Sequence, residues 1–202
     1  MPKKVAALPK GYRTATASLI VRGADAALDF YSHVFGAEVL SRAYAQDGVT
    51  VLQAEMKIGN TIIRVGDEMP AFGMLSPLSL GGSGSAVHLY VEDADTVWNA
   101  ALDAGASVCV SLADTYWGER FGRLTDPFGH VWSIAQRTEA LSPAQVKARA
   151  EAWFQPVAVE AAPLETALLE TTSVETGAYA VVEAFDAEPT APEADVDATA
   201  AA

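Results

Sequence analysis

An internal repeat constrains the fold of this 202-residue chain more than any other feature of its sequence. The pattern Leu-x-Val-x-x-Ala-Asp of residues 19–25 returns 70 positions later, at residues 89–95. The turn residue Gly59 returns at the same offset as Gly129. Chance would not keep strands and turns in phase over this length, so the sequence indicates a duplicated structural unit.

Each copy of the repeat is typical of a strand, a helix and three further strands. The first copy predicts strands at 14–21, 37–44, 50–58 and 61–65, with a helix at 24–35. The second copy predicts strands at 86–91 and 107–110, a helix at 94–104, and a hairpin around the turn 126–129. We therefore expect an α+β fold of two tandem βαβββ units, which form a cup-shaped mixed sheet around a cavity with helices on the convex side.

Composition shifts divide the chain into four parts. The pairs Ser142-Pro143 and Gly81-Gly82 mark a helix start and a flexible joint. The predicted parts are a flexible arm at 1–10, a domain at 11–138, a C-terminal helix at 139–156 and an acidic low-complexity tail at 157–202. The domain consists of the units 11–66 and 85–138, joined by the connector 67–84. The composition of the tail predicts that it is disordered.

The distribution of charge and apolar residues excludes several classes of protein. Residues 157–202 contain ten acids and no Lys or Arg, so the net charge of −13 leaves only −3 on residues 1–156. Neither part has the basic stripe of a nucleic-acid-binding protein, and no run approaches the ~20 apolar residues of a membrane span. The single Cys109, predicted to be a small buried apolar residue, fits a reducing, cytoplasmic location.

Four segments carry a resemblance to a known family. They are Leu19-Ile20-Val21-Arg22-Gly23-Ala24 before a helix with Asp29-Phe30-Tyr31, the run His88-Leu89-Tyr90-Val91-Glu92-Asp93, the run Trp117-Gly118-Glu119-Arg120, and the run from Asp126 to Trp132. Together they resemble the vicinal oxygen chelate superfamily of glyoxalase I, bleomycin-resistance proteins and extradiol dioxygenases, and within it the PhnB-like glyoxalase-related branch. The resemblance covers residues 11–138 and is specific for the fold, which hosts several chemistries.

The resemblance also implies where a metal would bind. In metal-dependent members each unit gives one ligand from its first strand and one from its last strand. These positions fall on Thr16, Ile63, Ala86 and Ser133, and none of them is a His or a carboxylate. We therefore expect no metal cofactor, although Glu55 and His88 would give a relocated, weak site if the fold brought them together.

Strand alternation predicts the residues that line the cavity. The predicted lining residues are Thr14, Thr16, Ser18, Gln53, Glu55, Thr61, Ile63, His88, Tyr90, Val131 and Ser133. The loop with Tyr116, Trp117 and Arg120 would close the cavity mouth over a planar or anionic ligand. In the alternative, Trp117 packs against the fold and Arg120 pairs with Asp114 or Asp126.

The sequence leaves three functions open. The first is a small-molecule binding or sequestering protein of the glyoxalase/bleomycin-resistance type, which holds its ligand between the two units without a metal. The second is a glyoxalase-like lyase or isomerase that uses Glu55 and His88 as an acid–base pair or as relocated metal ligands. The third is an interaction module that acts through its acidic tail. Because open sheets and a C-terminal helix leave apolar surface to cover, we expect a homodimer.

Overall fold

The computed structural model describes residues 5–154, which lie in the compact unit Met1–Pro156. The first repeat consists of β1 Ser18–Val21, α1 Ala24–Phe35, β2 Glu38–Tyr44, β3 Val51–Ile58 and β4 Thr61–Asp67. The connector contains a 3₁₀ turn, Pro70–Phe72, and the short helix α2 Pro77–Leu80. The second repeat consists of β5 Ala86–Tyr90, α3 Ala94–Asp103, β6 Ser107–Asp114, β7 Glu119–Thr125 and β8 Val131–Arg137, and it is followed by α4 Pro143–Trp153.

The tandem βαβββ prediction is confirmed by the strand topology. The strands form two four-stranded mixed sheets, in the orders β1-β4-β3-β2 and β5-β8-β7-β6. In each sheet the first strand runs parallel to the last, and the other pairs are antiparallel. The predicted acidic tail at 157–202 lies outside the described residues.

One hydrophobic core joins the two repeats. It contains the buried faces of both sheets together with α1 and α3. Rings of α1 pack directly on the second sheet: the centroids of Tyr31 and Phe35 lie 5.2 and 4.5 Å from that of Trp132. Because both sheets turn their helix-covered faces toward this core, their other faces open away from it, and the cup is not closed within one chain.

The Asp126-Pro127-Phe128-Gly129 turn fastens the second repeat to the first. The carboxylate of Asp126 is buried, and its Oδ1 accepts hydrogen bonds from the backbone of Phe128 and His130 at 2.9 Å. Its Oδ2 accepts from the Tyr31 hydroxyl and from Nε1 of Trp132, each at 2.8 Å. Burial, followed by the charge of Asp126, raises the pKa of Tyr31 above its ordinary value.

A second carboxylate anchors the connector. Glu68 pairs with Arg22 at 2.6 Å and accepts hydrogen bonds from the hydroxyls of Ser76 and Ser79. Ser76 is also the N-cap of α2. These hydrogen bonds, led by Ser79, lower the pKa of Glu68 to about 2. The joint between the repeats is therefore held at its N-terminal end, before the glycine run begins.

The C-terminal helix α4 begins with a capping box, in which Ser142 and Gln145 bond to each other's backbone. Arg149 pairs with both oxygens of Glu139 at 2.8 Å, which ties the helix to the end of the domain. Trp153 and Phe154, at its end, contact the ring of Tyr116 with centroid distances of 5.9 Å. Within residues 5–154, no helix is long and apolar enough to cross a membrane.

Candidate functional site

The outer face of the second sheet brings together the chemically richest set of side chains in the described chain. Strand register places His88 of β5, Ser133 of β8 and Arg123 of β7 in one row. Tyr90 and Phe121 follow in the next row, two residues along their strands. We call this surface, defined by His88, Tyr90, Phe121, Arg123 and Ser133, the second open face.

Four rings on and beside this face form an aromatic cluster, defined as His88, Tyr90, Trp117 and Phe121. The His88 ring lies 4.8 Å from Tyr90 and is stacked on Phe121 at 6.0 Å, and Trp117 meets Phe121 edge-on at 5.6 Å. Such centroid distances are typical of favourable aromatic pairs. The cluster presents flat, polarizable surface next to polar groups.

Glu119 holds two members of the aromatic cluster in place. Its Oε1 accepts from the Tyr90 hydroxyl at 2.9 Å, and its Oε2 accepts from Nε1 of Trp117 at 2.7 Å. The hydrogen bond to Glu119 raises the pKa of Tyr90, and the negative charge and partial desolvation add to the effect. One carboxylate therefore fixes the orientation of both rings.

A groove of about 740 Å³ adjoins the second open face. Its lining includes His88 and Tyr90 together with Phe35 and the β3–β4 turn at 58–61. This volume falls within the range of small-molecule sites. The groove gives the open face a concave wall that a flat sheet lacks.

The predicted mouth loop divides into residues that meet the aromatic cluster and residues that do not. Trp117 belongs to the cluster, and its neighbour Tyr116 turns toward α4. Arg120 is bound to both oxygens of Asp95 at 2.6 Å and lies 3.4 Å from Asp114. The structure therefore shows the pairing of Arg120 with Asp114 that was the alternative to a ligand clamp, and adds an ion pair with Asp95 at the start of α3.

The outer face of the first sheet carries the other predicted residues, Gln53 and Glu55. Arg64 of β4 donates a hydrogen bond to Gln53 and lies opposite Glu55 in the strand register. A hydrogen bond from Tyr12 to Glu55 raises the pKa of Tyr12. We call this surface, with Ser18, the first open face.

The predicted pairing of Glu55 with His88 is not formed within one chain. Glu55 belongs to the first open face and His88 to the second, and the common core lies between the two sheets. Within residues 5–154, no group of three or more His, Cys, Asp or Glu side chains converges as a metal site would require.

The register corrects one of the four positions that the family's metal pattern implied. Ser18 pairs with Arg64 in the first sheet as His88 pairs with Ser133 in the second, so the repeat offset is 70 in the first strands and 69 in the last strands. Ile63 is only 2% exposed and faces the core, and Arg64 takes its place on the open face.

The donor set at these positions does not fit the family's metal. Thr16 precedes β1, and its hydroxyl bonds to the carbonyl of Arg13. Ala86 has no donor atom in its side chain, and the Ser133 hydroxyl accepts from Arg123. With the cation of Arg64 at the fourth position, the set lacks the imidazole, carboxylate and thiolate groups that transition metals prefer.

Three residues of this site were missed by the sequence reasoning: Glu119, Phe121 and Arg123. Their signal is the strict alternation along β7, which places all three on the face that His88 and Tyr90 share. The prediction for Cys109 was also wrong. Its thiol is exposed and lies 3.0 Å from the Thr125 hydroxyl, because a register shift in β6 displaces the strand at that point.

Two mixed sheets of β1-β4-β3-β2 type, joined through their helices and open on their outer faces, define a tandem βαβββ protein of the vicinal oxygen chelate class. The chain belongs to the Glyoxalase/Bleomycin resistance protein/Dioxygenase superfamily, whose family model matches residues 13–134. The resemblance seen in the sequence is thereby confirmed.

Individual relatives support the same assignment. The chain is 36% identical over 133 residues to an uncharacterized protein of Mycobacterium bovis, which covers 64% of this chain and 87% of the relative. A solved gene product of Arabidopsis thaliana is 28% identical with a TM-score of 0.50, covering 61% of this chain and 98% of its own. A putative 3-demethylubiquinone-9 3-methyltransferase, PhnB protein, of Bacillus cereus matches with a TM-score of 0.50 at 19% identity, covering 61% of this chain and 99% of its own, and this likeness concerns the fold alone.

Proposed function

We propose that this protein binds or sequesters a small organic molecule on the second open face, without the metal centre of its family. The observation that carries the proposal is the aromatic cluster, which Glu119 holds beside a groove of about 740 Å³. Large aromatic surface with a few fixed polar groups is the usual composition of small-molecule sites. The single cysteine, which is not paired, supports a cytoplasmic location.

The proposal includes a homodimer in which the first open face of one copy covers the second open face of the other. Each open face is flanked by an edge strand, β1 or β5, that pairs on one side only. Apolar side chains are exposed on or beside both faces, with Tyr90 at 67%, Val110 at 44% and Leu52 at 44%. Unpaired edges and exposed apolar residues favour association with a second copy.

A neutral aromatic probe tests this site. We expect N-phenyl-1-naphthylamine to bind the full-length protein with increased fluorescence, and Tyr90→Ala to weaken its binding by about three- to ten-fold, since an aromatic pair contributes ~0.5–1.5 kcal/mol. Trp153→Ala removes an exposed ring of α4 and is the matched control. Equal affinity in all three proteins would place the binding elsewhere and contradict the proposal.

The alternative function is a lyase or isomerase that uses Glu55 and His88 as an acid–base pair. The proposed dimer would bring the two residues together, because it turns the first open face, which carries Glu55, toward the partner's second open face, which carries His88. Such an enzyme would exchange solvent deuterium into the carbon next to the carbonyl of hydroxyacetone, and His88→Ala would abolish the exchange. A pure binding protein would show no exchange in the wild type or in the variant.

A further inference from the structure

We infer that the ligand of the second open face is an aromatic anion whose acidic group is bound by Arg123. This inference rests on the proposed function and names the class of molecule that the site would take.

Arg123 is the arginine of the second open face, and its side chain has no acidic partner in the described part of the chain. Within the described residues 5–154, no carboxylate lies within ion-pair distance of its guanidinium. Four other arginines are paired: Arg22 with Glu68, Arg42 with Asp25, Arg120 with Asp95 and Arg149 with Glu139. The Nε of Arg123 donates to the Ser133 hydroxyl at 3.3 Å, which leaves its terminal nitrogens available to a ligand.

The position of Arg123 relative to the rings sets the size of the molecule. Phe121 precedes it by two residues on the same face of β7, which corresponds to about 6.6 Å along the strand. Ser133 lies between Arg123 and His88 in the strand row. An acidic group on Arg123 therefore leaves room for one or two fused rings to stack over Phe121 and His88.

The charges of the site favour an anion over a cation. Glu119 is the acid bonded to the rings, and both of its oxygens already accept hydrogen bonds, from Tyr90 and Trp117. Arg123 is an exposed cation with free donors, and a guanidinium binds planar acidic groups through two parallel hydrogen bonds. A cationic ligand would meet an unpaired positive charge in the same place.

Two probes that share their ring system test the inference on the full-length protein. They are 8-anilinonaphthalene-1-sulfonate and N-phenyl-1-naphthylamine, which lacks the sulfonate. We expect the sulfonate to bind at least about ten-fold more tightly, and Arg123→Gln to remove this advantage while it leaves the neutral probe within about two-fold. Arg123→Lys should restore part of the difference. Arg120→Gln, three positions away on the same strand and off the face, should change neither affinity.

The outcomes separate this inference from the proposed function. Suppose that Tyr90→Ala loses affinity for both probes but Arg123→Gln leaves the affinity for the sulfonate unchanged. That result overturns the assignment of an anionic ligand but supports the binding site of the proposed function. Binding of neither probe to the wild-type protein overturns both. The oligomeric state of Arg123→Gln, measured as its molar mass in solution, should equal that of the wild type. If the wild type is a dimer and this variant a monomer, Arg123 binds an acidic residue of the partner and not a ligand.

Discussion

The hydroxyl of Tyr31 donates a 2.8 Å hydrogen bond to the buried carboxylate of Asp126, across 95 positions of the chain. Tyr31 belongs to the helix of the first repeat and Asp126 to the last turn of the second. A second bond crosses the same boundary, because Nε2 of His130 lies 3.0 Å from the carbonyl oxygen of Ile20. The repeats are thus joined by directed polar bonds as well as by apolar packing.

Removal of the Tyr31 hydroxyl should destabilise the protein. Tyr31→Phe deletes one of four donors to a buried carboxylate, and a hydrogen bond to a charged group contributes ~1.5–3 kcal/mol to the free energy of unfolding. The measurement is chemical denaturation. Tyr44→Phe is the control, since that hydroxyl meets the exposed Asp25 at 3.1 Å and should cost less than about 0.5 kcal/mol. Equal losses in the two variants would contradict a special role for the buried bond.

Glu68 should make stability depend on pH in an acidic window. Its folded pKa of about 2 lies below the ordinary value of 4.5, so its hydrogen bonds with Ser79 and Ser76 stabilise the fold fully above pH 4.5. This contribution is lost as the pH falls from 4.5 toward 2. Thermal unfolding of Glu68→Gln should therefore vary less with pH in this window than that of the wild type. The exposed Glu38, changed to Gln, provides the comparison and should leave the wild-type slope unaltered.

Gly122 should not accept a side chain. A Cβ at this position of β7 would lie 2.6 Å from the ring of Trp98 and 2.9 Å from Cα of Leu112. Gly122→Ala should therefore lower the free energy of unfolding by ~1–3 kcal/mol, as overpacking of a dense core does. Gly84→Ala meets nothing within 4 Å and should be nearly neutral. A neutral Gly122→Ala variant would mean that α3 shifts away from the sheet at little cost.

Cys109 should report whether a second copy covers the open face. Its exposed thiol lies beside Thr125 on the outer side of the second sheet. If the proposed dimer forms, labelling with a disulfide reagent should slow as the protein concentration rises. Asn99→Cys, at an exposed position of α3 in a Cys109→Ser background, should react at a rate that does not depend on protein concentration. A labelling rate of Cys109 that ignores concentration, together with a monomeric mass, would refute the dimer.

Glu119 should control the ionisation of Tyr90. In Glu119→Gln the negative charge and the hydrogen bond that it accepts as a carboxylate are lost, so the pKa of Tyr90 should fall toward its ordinary value of 10. Tyrosine-labelled NMR titration measures this, with Tyr90→Phe assigning the signal. The fluorescence of Trp117 should change in the same variant, since its Nε1 loses a charged acceptor. An unchanged Tyr90 titration would show that the two side chains do not meet in solution.

The repeat was sufficient to predict the units of this fold, because turn glycines and helix ends are local signals. The Asp126 turn lies where the proline and glycine placed it, whereas β6 continues to Asp114, four residues beyond its predicted end at 110. The predicted start of β1 at residue 14 was too early, since the strand begins at Ser18. Alternating β-forming residues at 14–17 do not find a partner strand.

The parts of the site that could not be predicted depend on long-range geometry. Strand periodicity does not determine whether two sheets face each other across a cavity or turn their helices toward one core. The separation of Glu55 from His88 could therefore not be predicted from the sequence. The ion pair of Arg120 with Asp95 joins β7 to α3 across 25 positions, and a contact at that separation leaves no local pattern in the sequence. Ile63 faces the core because the last strands of the two repeats are offset by 69 residues and not by 70. Only the strand register shows this difference of one residue.

The packing of α1 on Trp132 makes the hydrophobic core a product of both repeats. A single βαβββ unit would leave Tyr31 and Phe35 without the surface that they fill here, and it would need another molecule to supply it. Carrying both units on one chain turns that encounter between molecules into a folding step within one molecule. The core should therefore form at a rate that does not depend on protein concentration, however weakly the outer faces associate.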